Sequence, residues 1–277
     1  MQINLDGVSS AYSRTGTVLS IISLQISKGE FVGIAGKAGC GKTTLLETIA
    51  GLHKPESGHV YFEGSDVYSK QFDHLSFRRK LQIVFQFPEN QFFETDVDSE
   101  IAFGLKSLKI SEKDMETRIT SSLAAVGLND SSIRRVSPFA LSGGQKRRLA
   151  LACALVVNPE ILLLDEPFSG LDAEGEKQMI QTLAKINAGG TTVIMVSHDP
   201  NILCEVSMRI IVLRNGEIAL DGPPQTIYQN KDLCDQCGIG QPDTKKTADM
   251  VGFKDLPDYK YKTFIDTLTE KILGGRK

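Results

Sequence analysis

Apolar runs alternate along this chain with glycine- and proline-marked turns, and both the strand and the helix period are visible. Phe31, Val32, Gly33, Ile34 and Ala35 read as a buried strand, and Thr43 to Ala50 as the helix that follows it. Upstream, Ile3 to Ser27 predicts strands joined by a turn around Arg14 to Gly16. Lys54, Pro55, Glu56, Ser57 and Gly58 signal a turn, after which His59 to Phe62 reads as a strand. Leu81 to Phe85 is almost continuously apolar, the pattern of a strand covered on both faces. Between Val97 and Val157 the pattern becomes helical, with segments near 97 to 107, 111 to 127 and 144 to 157. Strand-like runs return at Ile161 to Leu164, Thr191 to Val196 and Arg209 to Leu213, with a helical stretch from Ala173 to Ile186 between the first two. Such alternation predicts a mainly parallel sheet with right-handed crossovers, so the helical block reads as an insertion into an α/β core.

The pattern changes after about Gln229. Residues 231 to 262 are rich in Lys, Asp, Gly and Pro with little periodicity, whereas Phe264, Ile265, Leu268, Ile272 and Leu273 form one apolar helical stripe. That stripe needs a cover, either the chain's own core or a partner subunit. The expected division is a main domain over residues 1–230, its helical insertion at about 88–157, and a C-terminal extension over 231–277 with a possible dimerisation helix.

A length of 277 residues suits one large core with appendages. The net charge of −3 gives no basic face from composition alone, which argues against nucleic acid as a partner. The longest apolar run, Leu149 to Val157, has nine residues, short of the roughly 18 to 20 that span a bilayer. Met1 to Asp6 lacks a basic-then-apolar signal pattern, so the chain is expected in the cytoplasm, reaching a membrane only through a partner. Cysteines 40, 153, 204, 234 and 237 form no dense framework and fit a reducing compartment. Cys234 and Cys237 make a C-x-x-C in a loop-like stretch. With no second ligand pair nearby they read as plain thiols rather than a zinc site.

The chemistry is concentrated in three motifs. Gly36, Lys37, Ala38, Gly39, Cys40, Gly41, Lys42 and Thr43 complete a Gly-x4-Gly-Lys-Thr pattern between a strand and a helix. The glycines let the backbone turn sharply and aim amide N–H groups and a helix N-terminus at phosphate oxygens. Lys42 would reach the β- and γ-phosphates and Thr43 would ligate Mg²⁺, with Thr44 continuing the cradle. Cys40 reads as a small residue that fits the loop; the alternative is a thiol of lowered pKa at a helix N-terminus.

The second motif is Ile161, Leu162, Leu163 and Leu164 ending in Asp165 and Glu166. A buried strand delivers both acids to the carboxyl edge of the sheet, Asp165 for Mg²⁺ and Glu166 to polarise the attacking water. The third is Leu141, Ser142, Gly143, Gly144 and Gln145 before Lys146, Arg147 and Arg148. Ser142 caps a helix and two glycines leave its N–H groups bare, which makes a second anion-facing helix end.

This set resembles the ATP-binding-cassette ATPases, whose signature is Leu-Ser-Gly-Gly-Gln. The resemblance spans roughly residues 3 to 220 and implies a P-loop ABC ATPase core with a mainly parallel sheet, an antiparallel β subdomain and an inserted α-helical subdomain. In that family one subunit's signature closes on nucleotide held by the other, so a dimer is implied, with Ser142, Gly143, Gly144 and Gln145 serving the partner's ATP. Gln86 resembles the glutamine that contacts Mg²⁺ and the attacking water, and His198 the histidine that contacts the γ-phosphate. Asp172 resembles the aspartate that joins the two sites, and Tyr12, 24 residues before Gly36, the aromatic that stacks on adenine; the alternative is an ordinary tyrosine, as Tyr68 is. Lys37 and Ala38 replace a common Pro-Asn, and Cys40 a common Ser.

Phe85, Gln86, Phe87, Pro88, Glu89, Asn90 and Gln91 are similar to the sequence of energy-coupling-factor transporter ATPases, the group that includes the cobalt importers. In that group the region faces a transmembrane coupling subunit, with Phe87, Phe92 and Phe93 as an apolar contact rimmed by acids or, alternatively, as core residues. The resemblance implies an ATPase at the cytoplasmic face of the membrane, paired with a second ABC ATPase as homo- or heterodimer. A separate membrane subunit would recognise the vitamin or transition-metal ion taken up. Another ABC importer or exporter is the alternative, and a soluble ABC ATPase acting on nucleic acid a more distant one.

Overall fold

The computed structural model describes residues 1–12, 16–108, 110–253 and 256–274. In chain order the strands are β1 (Ile3–Tyr12), β2 (Gly16–Ile26), β3 (Phe31–Ala35), β4 (Ser57–Phe62), β5 (Ser65–Asp66), β6 (Leu81–Val84), β7 (Ile161–Asp165), β8 (Thr192–Val196), β9 (Arg209–Arg214) and β10 (Glu217–Gly222). The α-helices are α1 (Lys42–Ile49), α2 (His74–Lys80), α3 (Val97–Leu105), α4 (Glu112–Ala125), α5 (Gly143–Leu155), α6 (Ala173–Ala188), α7 (Pro200–Val206), α8 (Pro224–Tyr228), α9 (Lys231–Cys237), α10 (Asp243–Met250) and α11 (Tyr261–Gly274).

Alternation in β1 and β2 sets their antiparallel register: Ile3 faces Ile26 and Leu5 faces Leu24, all buried. With β4 and β5 they form a small sheet of order β2-β1-β4-β5. The larger sheet has the order β10-β9-β3-β8-β7-β6, parallel except for β10. Its central strands β3, β7 and β8 are buried at every position and apolar apart from Gly33 and the strand-end residues Asp165 and Thr192, because both faces are covered. Val32, Ile34, Ile161, Leu163 and Ile194 pack beneath the small sheet and around Leu45, Leu46 and Ile49 of α1. Phe31, Leu162, Leu164 and Val193 point to the other face, into a core shared with Ile101, Leu105, Leu149 and Ala152 of the helical block.

Three expectations need correction. The strand at Leu81 is covered less completely than its sequence suggested. As β6 it is the edge of the sheet, so Gln82 and Ile83 are only half-buried, and Phe85 lies beyond it. Residues 231 to 262 are not simply aperiodic either, since α9 and α10 lie within them. Asn230 caps α9 by accepting from Leu233 N at 3.1 Å, and Gly238 ends it with φ 65°. Third, the C-x-x-C is helical rather than loop-like: Cys234 and Cys237, three apart, share the buried face of α9 and join the main core with Ile239. In α11, which packs on α10, Phe264 is buried and Ile265 exposed. The side chains of Ile272 and Leu273, on which their contribution to the stripe rests, are outside the description, and Arg14 of the expected turn lies outside the described residues.

Candidate active site

Parallel strands present their carboxyl ends on one edge, and sheet order decides which loops become neighbours. The loop after β3 therefore lies beside the end of β8, which lies beside the end of β7, which lies beside the end of β6. Those four loops carry, in turn, Gly36 to Gly41, His198, Asp165 with Glu166, and Gln86.

The phosphate loop has left-handed backbone at Gly36 (φ 144°), Gly39 (φ 77°) and Gly41 (φ 105°). At Gly36 the requirement is steric as well, because a Cβ there would lie 2.3 Å from the Leu213 carbonyl oxygen. Gly41 is the N-cap of α1 and supplies no side-chain acceptor, so the first-turn amides stay available for an anion. The Lys42 ammonium folds back over this loop, donating to the carbonyls of Gly36 at 2.8 Å and Lys37 at 2.9 Å. Thr44 is buried behind the loop.

Thr43 Oγ1 donates to Asp165 Oδ2 at 2.8 Å, which brings two hard oxygen ligands together at the helix start. Burial raises the Asp165 pKa, against the lowering effects of Thr43 and Lys42. A desolvated carboxylate beside a hydroxyl fits a divalent cation that takes oxygen ligands. Among the described residues no three His, Cys, Asp or Glu side chains form a metal cluster; what the chain offers an oxygen-ligated cation such as Mg²⁺ here is the Thr43 hydroxyl and the Asp165 carboxylate.

Glu166 occupies left-handed backbone at φ 49°. Its amide donates to the Val196 carbonyl at 3.1 Å, and its carboxylate oxygen Oε2 lies 2.9 Å from His198 Nδ1. The carboxylate is largely buried while the His198 side chain is 75% exposed, so the histidine is free to meet a ligand. Gln86 is half-buried just past β6, and its carbonyl accepts from Arg147, a residue to which the motifs assigned no role.

Ser142 caps α5 in a closed capping box: its Oγ accepts from Gln145 N at 3.3 Å and Gln145 Oε1 accepts from Ser142 N at 2.9 Å. A Cβ at Gly143 would meet nothing within 4 Å, so this helix end is open. Among the described residues no hydrogen bond joins the signature segment to the chain's own phosphate loop. Asp172 is the N-cap of α6, accepting from Gly175 N at 2.8 Å. The Tyr12 side chain lies outside the described residues, although its backbone pairs with Gly16. Tyr68 is engaged elsewhere, donating its hydroxyl to the His53 carbonyl at 2.7 Å. Cys40 is buried, and burial pushes its thiol pKa up more than Lys42 and backbone N–H groups pull it down, contrary to a lowered pKa.

Two of the three loop phenylalanines differ from the third. Phe92 is buried in the main core, while Phe87 and Phe93 are 56% and 59% exposed. Sequence reasoning missed Phe103 of α3, whose ring meets Phe93 edge to face at 4.6 Å between centroids. The helical spacing of Phe103 gave no sign that it would surface beside that loop.

A family model described as ABC transporter matches residues 19–169. The energy-coupling factor transporter ATP-binding protein EcfA2 of Clostridium tetani is 37% identical over 222 residues, covering 80% of this chain and 77% of that protein. Its namesake from Streptococcus pyogenes serotype M5 is 34% identical over 281 aligned positions, 99% of this chain and 100% of the relative. Among solved structures, cbiO1 from Clostridium perfringens, part of the ABC transporter complex cbiONQ, superposes with a TM-score of 0.75 at 28% identity, covering 90% of this chain and 98% of that one. The ATP-binding cassette MJ0796, solved as a dimer in a post-hydrolysis state with ADP and Pi, gives 0.72 at 30% identity over 80% of this chain and 98% of that one.

Proposed function

This chain belongs to the ABC transporter family as an ATP-binding, ATP-hydrolysing subunit similar to those of energy-coupling factor transporters, and on that premise we propose that it is one half of a transport motor. With a second cassette, identical or related, it closes over two ATP molecules and drives uptake of a vitamin or transition-metal ion through membrane partners. The observation that carries this reading is the Glu166 carboxylate, buried and held 2.9 Å from His198 on the sheet edge beside the phosphate loop.

In this mechanism the bare amides of the loop and the Lys42 ammonium hold the β- and γ-phosphates, and Tyr12 stacks on adenine. Thr43, Asp165 and Gln86 would hold Mg²⁺, which when bound would supply positive charge against the negative charge that develops on the phosphate. Glu166 accepts a proton from water as the water oxygen bonds to the γ-phosphorus and the bond to the ADP oxygen breaks. His198 turns from Glu166 to the γ-phosphate. The open N-terminus of α5 in the second cassette, with its Ser142 to Gln145, covers the same phosphate from the far side.

The C-terminal extension over 231–277 supports the pairing, since Met250, Val251, Tyr261 and Ile265 all present apolar surface. No helix among the described residues is long and apolar enough to cross a membrane, so attachment to the cytoplasmic face runs through a coupling subunit. Phe87, Phe93 and Phe103 supply its contact, and a separate membrane protein recognises the solute.

Glu166→Gln tests the catalytic assignment. ATP binding persists in a filter or fluorescent-nucleotide assay while turnover falls by about 10²-fold or more. Hydrolysis near the wild-type rate contradicts Glu166 as the base.

A further inference from the structure

Arg147 joins two loops that the reaction needs and that are far apart in sequence. Its NH1 donates to the Glu166 carbonyl at 2.9 Å and its NH2 to the Gln86 carbonyl at 3.0 Å. The residue stands in α5 just behind the Ser142 to Gln145 end, so one side chain touches the segments after β6 and β7 from the signature helix. The guanidinium is half-buried, with Glu89 and Glu166 as its acidic neighbours. Its planar fork fixes the spacing of two acceptors, which a single ammonium cannot do equally well.

Glu166 needs such a hold. Its φ of 49° is a conformation that a non-glycine residue keeps only when its surroundings impose it. Val196 takes its amide at 3.1 Å, while its carbonyl receives Ser169 N at 3.2 Å and Arg147. The residue is thus clamped from β8 on one side and from α5 on the other.

We propose that Arg147 is a positioning residue for ATP hydrolysis, locking the Glu166 turn to the Gln86 segment so that the carboxylate is aimed at the attacking water. The proposal rests on the reading of Glu166 as the base. It also makes α5 the lever by which a shift of the Gln86 segment reaches that base, without Arg147 touching nucleotide.

The test compares Arg147→Ala, Arg147→Lys and Glu166→Gln in the full-length chain, in the preparation in which the wild type turns over ATP. In Arg147→Ala, kcat falls about tenfold or more while KM for ATP and the Kd of a fluorescent ATP analogue stay within about threefold. Arg147→Lys recovers only part of that kcat, and added guanidinium, at concentrations that leave the melting temperature unchanged, raises kcat in Arg147→Ala but not in the wild type. If Arg147→Ala does not fold, Arg147→Lys carries the same kcat-against-KM comparison. Turnover within twofold of wild type in Arg147→Ala, beside a dead Glu166→Gln, overturns the role of Arg147 alone. Full recovery of kcat by Arg147→Lys also overturns it, because a charge without the fork then suffices. Wild-type turnover in Glu166→Gln removes the base and this proposal with it.

Discussion

At the scale of single residues, Glu166, the proposed base, holds a backbone conformation that costs stability. Its left-handed backbone costs on the order of 1–2 kcal/mol for a side chain with a Cβ. Glu166→Gly is therefore expected to raise the melting temperature, by about 2–4 °C for each kcal/mol relieved, while abolishing turnover; differential scanning calorimetry alongside an ATPase assay checks both. Tyr68 gives a pH-dependent case. Burial pushes its phenol up to about 12, so the folded chain holds that proton more tightly than the unfolded chain does. The stabilisation is complete below about pH 10 and is lost as pH rises from there towards 12, so Tyr68→Phe should melt with a shallower decline over that window. Cys40, whose thiol is raised rather than lowered, should react slowly with N-ethylmaleimide at pH 7 and faster as pH climbs past 9; fast labelling at neutral pH that Cys40→Ser abolishes contradicts this. The phosphate loop, Asp165 and Glu166 were legible in the sequence because phosphate and metal chemistry demands those residue types at fixed spacing. Arg147 was not, since its acceptors lie 61 and 19 residues away along the chain and only folding brings them together.

At the scale of elements, legibility followed length and cover. The central strands and long helices stood out because a fully covered strand is apolar throughout and a long helix repeats its stripe several times. The short helices α9 and α10, of seven and eight residues, complete too few turns for a period to emerge from a polar background. The loop after β6 was legible as a contact but not residue by residue, because neighbouring phenylalanines point in opposite directions and composition cannot say which one faces in. The two should separate on mutation. Phe92→Ala, in the core, is expected to destabilise the chain by about 3 kcal/mol or more in denaturant titration. Phe93→Ala with Phe103→Ala, on the surface, should leave melting and ATP binding nearly unchanged while weakening copurification of the membrane partner. Unchanged copurification contradicts that surface as the docking site.

At the scale of the whole molecule, one sheet with two different covers organises everything. The face under the small antiparallel sheet holds α1 and its phosphate loop, and the opposite face holds the helical block with α5. The two anion-facing helix ends are therefore carried by different layers, with no hydrogen bond between them among the described residues. That separation fits the proposal that two chains complete each site. The most direct test is native mass spectrometry of Glu166→Gln, tagged and isolated with whatever cassette accompanies it, in saturating Mg²⁺ and ATP. The expected result is a species of two cassettes that retains two ATP and disappears when Ser142→Arg is added to both copies or to the partner's equivalent. A single cassette that retains ATP under the same conditions, with no paired species, contradicts it.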